Sequence, residues 1–366
     1  MISQFKLDLN RFNKHLNFYL FFAFIFSFYQ GFNSPLKWPM NYYIPGYFDG
    51  FHRRALIGTI LSFFGDIRFN FYFITALQIA ISGTLIFLLL REAIKQKPTN
   101  KVIFILFFIA PTGSFLFHEF GFVEHLLYLM LFAALSFRKI GFLLMVTTLF
   151  IHEEAFFCVI PIYLCIQYFQ SVSRTKIVLQ GLVFLICFLY LIKFGVESDI
   201  VVDNFTNLLK SKVNYPAADY YYDLYKTKSE IKICYRPGQI FEIVIIFMLG
   251  FYLSKLFTKN SNPFDNWLII FTIFAPVILG FIGGTDTSRW FQLSFGSALV
   301  LLSYLVSEDN SNYFDVYFVL IFFAVFGNFY FFDGTVPRRV DFDKQSLQFI
   351  LHDFKEMTLH AIDNRR

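Results

Sequence analysis

The chain has 366 residues, of which 57% are hydrophobic and only 16% charged, with a formal net charge of +5 and a mean hydropathy of +0.56. Soluble domains run at about 45–50% apolar and about 25% charged, and no soluble fold hides runs as apolar as 102–117 and 267–282. A soluble enzyme and a nucleic-acid binder are therefore excluded, and the charge is read first as an orientation signal for a membrane protein.

The expected fold is all-α: a polytopic membrane protein with about 11 transmembrane helices, within bounds of 10–12. In chain order the apolar stretches are 16–32, 70–90, 102–117, 121–136, 140–152, 155–172, 177–194, 238–254, 266–282, 290–306 and 313–331. The first follows Lys6, Arg11 and Lys14 and has no small-residue cleavage site, so it reads as an uncleaved helix. Several stretches fall short of the ~20 residues of a perpendicular span, which admits broken or re-entrant helices. The polytopic domain covers 1–331. Two longer connections, 33–69 and 195–237, form external loops, the second containing the tyrosine-rich "NYPAADYYYDLYKTK". The tail, 332–366, spaces Leu347, Ile350, Leu351, Phe354, Met357 and Ala361 as an amphipathic helix.

Short basic connections fix the orientation. Arg91, Lys95, Lys97 and Lys101, then Arg138 and Lys139, Arg174 and Lys176, and Lys255 and Lys259 fall on the same side as the N-terminal tail. The positive-inside rule makes that side, and the N-terminus, cytoplasmic. The basic C-terminal tail argues for an even span count as the alternative. Cys158, Cys165, Cys187 and Cys234 form no CxxC pair or disulfide framework.

Ionisable residues set into such a chain are costly and mark sites. They fall in five clusters: Asp49, His52, Arg53 and Arg54 in "YFDGFHRRALIGT"; His118 with Glu119, and Glu124 with His125, in "FHEFGFVEH"; His152, Glu153 and Glu154 in "FIHEEAFF"; and Asp286 with Arg289 in "GGTDTSRW". The topology puts all five on the extracytoplasmic side, around one acid- and arginine-rich cavity. Two adjacent arginines suit a phosphate or diphosphate, which Arg binds in bidentate fashion; lipid-headgroup anchoring is the plainer alternative. A desolvated Glu153 gains proton affinity, as a general base needs. Its alternative is an internal salt bridge to Arg289 or Arg54. Asp286 and Arg289 share a helical face, and Trp290 serves either as an interfacial anchor or for sugar stacking. No HExxH, Walker, GxGxxG or GxSxG pattern occurs. No cofactor is called for, although the His/Glu hairpin leaves room for a divalent metal.

The many-helix plan, Asp49 in the first external loop, "FHRRALIG", "HEEAF" and "DTSRW" together resemble the polytopic glycosyltransferases of bacterial envelope assembly, GT-C-like or O-antigen and capsule polymerase-like. The resemblance covers the architecture of the whole chain, but its motifs cover only short segments, and the paired-acid DxD of some such enzymes is missing. It implies a multi-pass protein of the bacterial inner membrane acting in surface polysaccharide and lipopolysaccharide assembly. Its substrate is a polyprenyl-phosphate- or diphosphate-linked sugar or repeat unit, and its other partners are membrane lipid and polysaccharide-assembly proteins. In that scheme Asp49 or Glu153 is the catalytic base and His152 orients the substrate. Arg53, Arg54 and Arg289 hold the phosphate, with His52, His118, Glu119, Glu154, Asp286 and Trp290 completing the substrate site. The rivals are a transporter or flippase of lipid-linked saccharide, a membrane acyltransferase of surface sugars and a non-catalytic scaffold.

Overall fold

The computed structural model describes residues 13–32, 38–51, 53–118, 121–195, 199–212, 235, 239–257, 262–282, 287–305 and 317. Among the described residues all regular structure is helical. In chain order the α-helices are α1 (Asn13–Gly31), α2 (Leu56–Ser62), α3 (Phe71–Lys95), α4 (Pro98–Ile109), α5 (Pro111–His118), α6 (Val123–Ser136), α7 (Gly141–Ile151), α8 (Ala155–Cys158), α9 (Ile160–Phe169), α10 (Arg174–Phe194), α11 (Asp199–Lys212), α12 (Ile240–Phe257), α13 (Pro263–Phe274) and α14 (Thr287–Leu305). Helices occupy ten of the eleven apolar stretches. The eleventh, 313–331, and the tail 332–366 lie outside the described residues, Tyr317 excepted.

Among the described residues three helices are long and apolar enough to cross a membrane: α3, α10 and the Pro263–Phe281 pair of α13 with its 3-10 extension. Four further apolar helices are shorter, Asn100–Ile109, Val123–Ser136, Gly141–Ile151 and Ala155–Phe169. Proline explains where the expected spans are interrupted. The run 102–117 is cut between α4 and α5 because Pro111 excludes Ala110 from the helical region, and Ala110 is extended at ψ 158°. The run 266–282 changes from α13 into a 3-10 helix, Ala275–Phe281, whose second residue is Pro276. The run 155–172 breaks at Val159, with Pro161 next to the start of α9.

The chain divides into two compact units, each assembled from separate segments. One comprises Met1–Phe32, Phe87–His118 and Lys232–His352. In it α1 packs against α4 and α5, and α12 packs against α13 and α14. Phe24 meets Phe108 and Phe117 edge-on at 5.6 and 5.3 Å, an arrangement aromatic rings favour.

The other unit comprises Asn33–Ile86, Glu119–Ile231 and Asp353–Arg366. Here α6 lies on α7, and α10 covers α7 and α9. Outward residues of α10 such as Val178, Leu182 and Ile186 stay exposed, a surface compatible with lipid. The segment expected as an external loop is partly packed into the unit. Met40, Asn41, Tyr42, Tyr43 and Ile44 are all at most 1% exposed. The segment passes through a 3-10 turn, Trp38–Tyr42, then Tyr47–Asp49, α2 and a further 3-10 turn, Gly65–Phe69. Its apolar residues are buried like core, because "PMNYYIP" has too little polarity to remain in water.

Candidate functional site

Arg53, Arg54, His152, Glu153 and Glu154 meet in the second unit, at the turn where α7 ends and α8 begins. His152 caps α7 in extended conformation, at φ −160° and ψ 129°. Glu153 and Glu154 form the turn, with the Ala155 N–H donating to the His152 carbonyl at 3.1 Å. The turn sets three consecutive polar side chains among apolar neighbours: His152 is fully buried, and Glu153 and Glu154 nearly so.

Arg54 answers Glu153. Its Nε donates to Glu153 Oε1 and Oε2 at 3.1 and 2.9 Å, and its Nη2 closes the fork on Oε1. Arg53 adds a longer contact, Nη1 to Oε1 at 3.6 Å. This is the salt bridge to Arg54 that stood as the alternative to a free carboxylate. Burial alone would push the Glu153 carboxyl up, but the charges of Arg54 and Arg53 outweigh it and hold the group well below its ordinary value. The expectation of a raised proton affinity is thereby reversed, since a fork-bound carboxylate is a weak base. The backbone N–H of Glu154 donates to His152 Nδ1 at 3.1 Å. A neutral His152 therefore carries its proton on Nε2, and the arginines suffice to account for the anionic Glu153.

Arg54 has φ +73°, in the left-handed region that costs an L-residue about 1–2 kcal/mol. Such a backbone persists where its surroundings over-determine it, and here the fork on Glu153 does so. The adjacent Arg53 is anchored through its main chain, its N–H donating to the Gly195 carbonyl at 3.2 Å. Gly195 follows directly on α10, and a Cβ there would stand 2.8 Å from Arg53 Cβ, so glycine permits the approach. Tyr42 fills the space behind the pair, its ring 5.3 Å from that of His152 and its centroid 5.6 Å from Arg54 Cζ.

Asp49 takes a different partner from the one its spacing suggests. It stands four residues before Arg53 but pairs with Arg68, whose Nη2 donates to Oδ1 at 2.9 Å while Nη1 pairs with Oδ2. The Gly46 N–H also donates to Asp49 Oδ2 at 2.9 Å, and Arg68 Nη1 donates to the Ile44 carbonyl at 3.0 Å. The group clips the first loop shut, and Asp49 as a free base is not what the geometry offers. Sequence reading missed Arg68 and Tyr42. The only signal for Arg68 was one cation in the apolar run "FFGDIRFNFYF", which read as loop.

Glu124 and His125 are buried in the first turn of α6. Burial first, then the charge of Glu124, push the Tyr43 phenol up. Arg289 and Trp290 belong to the other unit, in the first turn of α14. Both are buried, with Arg289 Cζ 4.8 Å from the Trp290 ring centroid. Trp290 is thus enclosed, which suits neither an interfacial anchor nor an open stacking platform. His52, Glu119, Asp286 and the side chain of His118 lie outside the described residues. Among the described residues no group of three His, Cys, Asp or Glu is placed to hold a metal ion.

No family model matches the chain, and no curated protein and no solved structure matches it.

Proposed function

We propose that this protein is a membrane glycosyltransferase or polymerase of surface-polysaccharide assembly. Its donor is a polyprenyl-phosphate- or diphosphate-linked sugar or repeat unit, handled at the extracytoplasmic face of a bacterial inner membrane through about eleven spans. The observation that carries this reading is the half-buried Arg53 with the buried Arg54 and Glu153, beside His152 and Glu154. A chain this apolar buries several ionisable side chains together only where their interactions offset desolvation. Two adjacent guanidinium groups, one already oriented by a carboxylate, are suited to the oxygens of a lipid phosphate.

In this scheme the sugar's bond to the carrier phosphate oxygen breaks and a bond to the acceptor oxygen forms. Arg53 and Arg54 stabilise the departing phosphate, and the acceptor proton passes to a protein base. The arginine-bound Glu153 and Asp49 are poor bases, so that role moves to Glu154, whose Oε2 stands 3.6 Å from the orienting His152 Nδ1. Glu153 then orients the arginines.

The test is complementation of a strain lacking this gene, with envelope polysaccharide chain length read on gels and membrane insertion checked in parallel. Arg53→Ala and His152→Ala abolish polymer while inserting normally, and Arg53→Lys restores part of it. Full-length polymer in both alanine variants sinks the reading.

One observation favours a second reading, transport of lipid-linked saccharide. On the candidate span α3, Thr75, Gln78 and Ser82 are buried at helical spacing, and both amide atoms of Gln78 have no hydrogen-bond partner. Unsatisfied polar groups inside a span are typical of a path for a polar substrate. Transport predicts that Gln78→Leu strands lipid-linked saccharide on the cytoplasmic leaflet.

A further inference from the structure

The first-loop segment is a braced unit in its own right. Tyr47–Asp49, α2 and Gly65–Phe69 pack on one another and are braced from within. The Asp49 and Arg68 fork ties the first to the last. The Tyr47 N–H donates to Thr59 Oγ1 at 2.7 Å, and that hydroxyl donates to the Ala55 carbonyl at 2.8 Å. Ile57 and Leu61 point inward and are buried. The other side presents Phe48, Ile60, Phe63 and Phe64, which are 70%, 51%, 73% and 72% exposed. Phe48 and Phe63 lie edge to face at 5.7 Å.

A braced element that displays three phenylalanines is built to meet an apolar medium. Its position tells which one. The Phe51 ring is 5.5 Å from Tyr47 and 5.7 Å from Tyr190 of α10, and Tyr190 meets Phe194 at 4.9 Å. Arg53 is hydrogen-bonded to Gly195, one residue beyond that helix. The exposed aromatic side is therefore continuous with the apolar flank of a helix long and apolar enough to cross a membrane. Cations stand at the same end: Lys193 in the last turn of α10, and Lys212, which pairs with Asp66 of the segment at 2.7 Å. Aromatic rings edged by lysines at a span end match the boundary between acyl chains and anionic headgroups.

We propose that Phe48, Ile60, Phe63 and Phe64 form a lip seated in the outer part of the bilayer, in contact with phospholipid, at the level of Arg53. The inference rests on α10 being a membrane span. It adds to the proposed function a lipid-facing edge beside the arginines, from which a lipid phosphate reaches them without leaving the membrane.

The test is photo-crosslinking of the full chain reconstituted in vesicles of phosphatidylethanolamine and labelled phosphatidylglycerol. Benzoylphenylalanine is placed singly at Phe63, at Ile186 on the exposed flank of α10, and at the buried Leu127. The lip predicts labelled lipid at Phe63 in a yield comparable with Ile186 and several-fold above Leu127. Adducts at Ile186 without any at Phe63 overturn the lip and leave the span standing. Adducts at neither position overturn both, and a protein adduct at Phe63 in place of lipid identifies a protein interface and overturns the lip. Repeating the measurement at Phe48 guards against a local defect at one site.

Discussion

Glu153→Gln isolates what the central ion pair contributes. The substitution keeps the size of the side chain and one acceptor oxygen, but removes the charge facing Arg54 at 2.9–3.1 Å and Arg53 at 3.6 Å. The side chains of Arg54 and Glu153 are each only 10% exposed, so water compensates little. Breaking a buried pair by removing one partner costs about 3–5 kcal/mol, whereas replacing both partners with apolar groups is often neutral. The same fork holds Arg54 in its left-handed backbone, so any relaxation of that strain, about 1–2 kcal/mol, lowers the loss rather than adding to it. The expected pattern is a large loss of thermal stability in Glu153→Gln, a similar loss in Arg54→Met, and substantial recovery in Arg54→Met combined with Glu153→Leu. Detergent-solubilised protein, followed by tryptophan emission during heating, reads all three against wild type. Additive losses in the double variant, or a Glu153→Gln loss below about 1 kcal/mol as for an exposed pair, refute the assignment of a desolvated, mutually dependent pair.

Two further outcomes follow from the same geometry. The Glu153 carboxyl is held below its ordinary value of 4.5. Its contribution to stability is therefore fully present above about pH 4.5 and is lost as pH falls through the lower folded value. A melting series from pH 7 to pH 3 shows the wild type losing stability in the acid range more steeply than Glu153→Gln, and parallel curves contradict the assignment. A Cβ on Gly58 would stand 2.1 Å from the Pro45 carbonyl oxygen and 2.5 Å from that of Ile44. Gly58→Ala must therefore move α2 away from the buried 39–46 segment, by a clash with backbone that has no rotamer to retreat into. Its signature is faster limited proteolysis within 44–62 with little change elsewhere; unchanged cleavage refutes the close approach.

Much of the architecture could be read along the chain. The helical class and the helix positions follow from apolar run length, whereas the breaks at Pro111 and Pro161, inside stretches read as single spans, emerged only in the structure, where a ring removes a donor and constrains its predecessor. The choice of Arg53, Arg54, Glu153 and Glu154 as remarkable residues was legible too, because ionisable groups are costly in so apolar a chain.

Pairing was legible only as an alternative for Glu153, with Arg289 or Arg54, and not at all for Asp49, because it depends on which residues distant in sequence the fold brings together. Glu153 lies 99 residues from Arg54, and Arg68 lies 19 from the Asp49 that sequence spacing offered to Arg53. Tertiary structure alone decided that both carboxylates are bound by arginine. That turned Glu153 from an expected base into a fixed anion, because two nearby cations outweigh the effect of burial. It also decided that residues 39–46 of the first loop are buried while Phe48, Phe63 and Phe64 face outward. Composition determines that a chain this rich in phenylalanine needs an apolar surrounding. Only the folded chain determines which phenylalanines meet one another and which face outward, since burial is a property of neighbours and not of the residue.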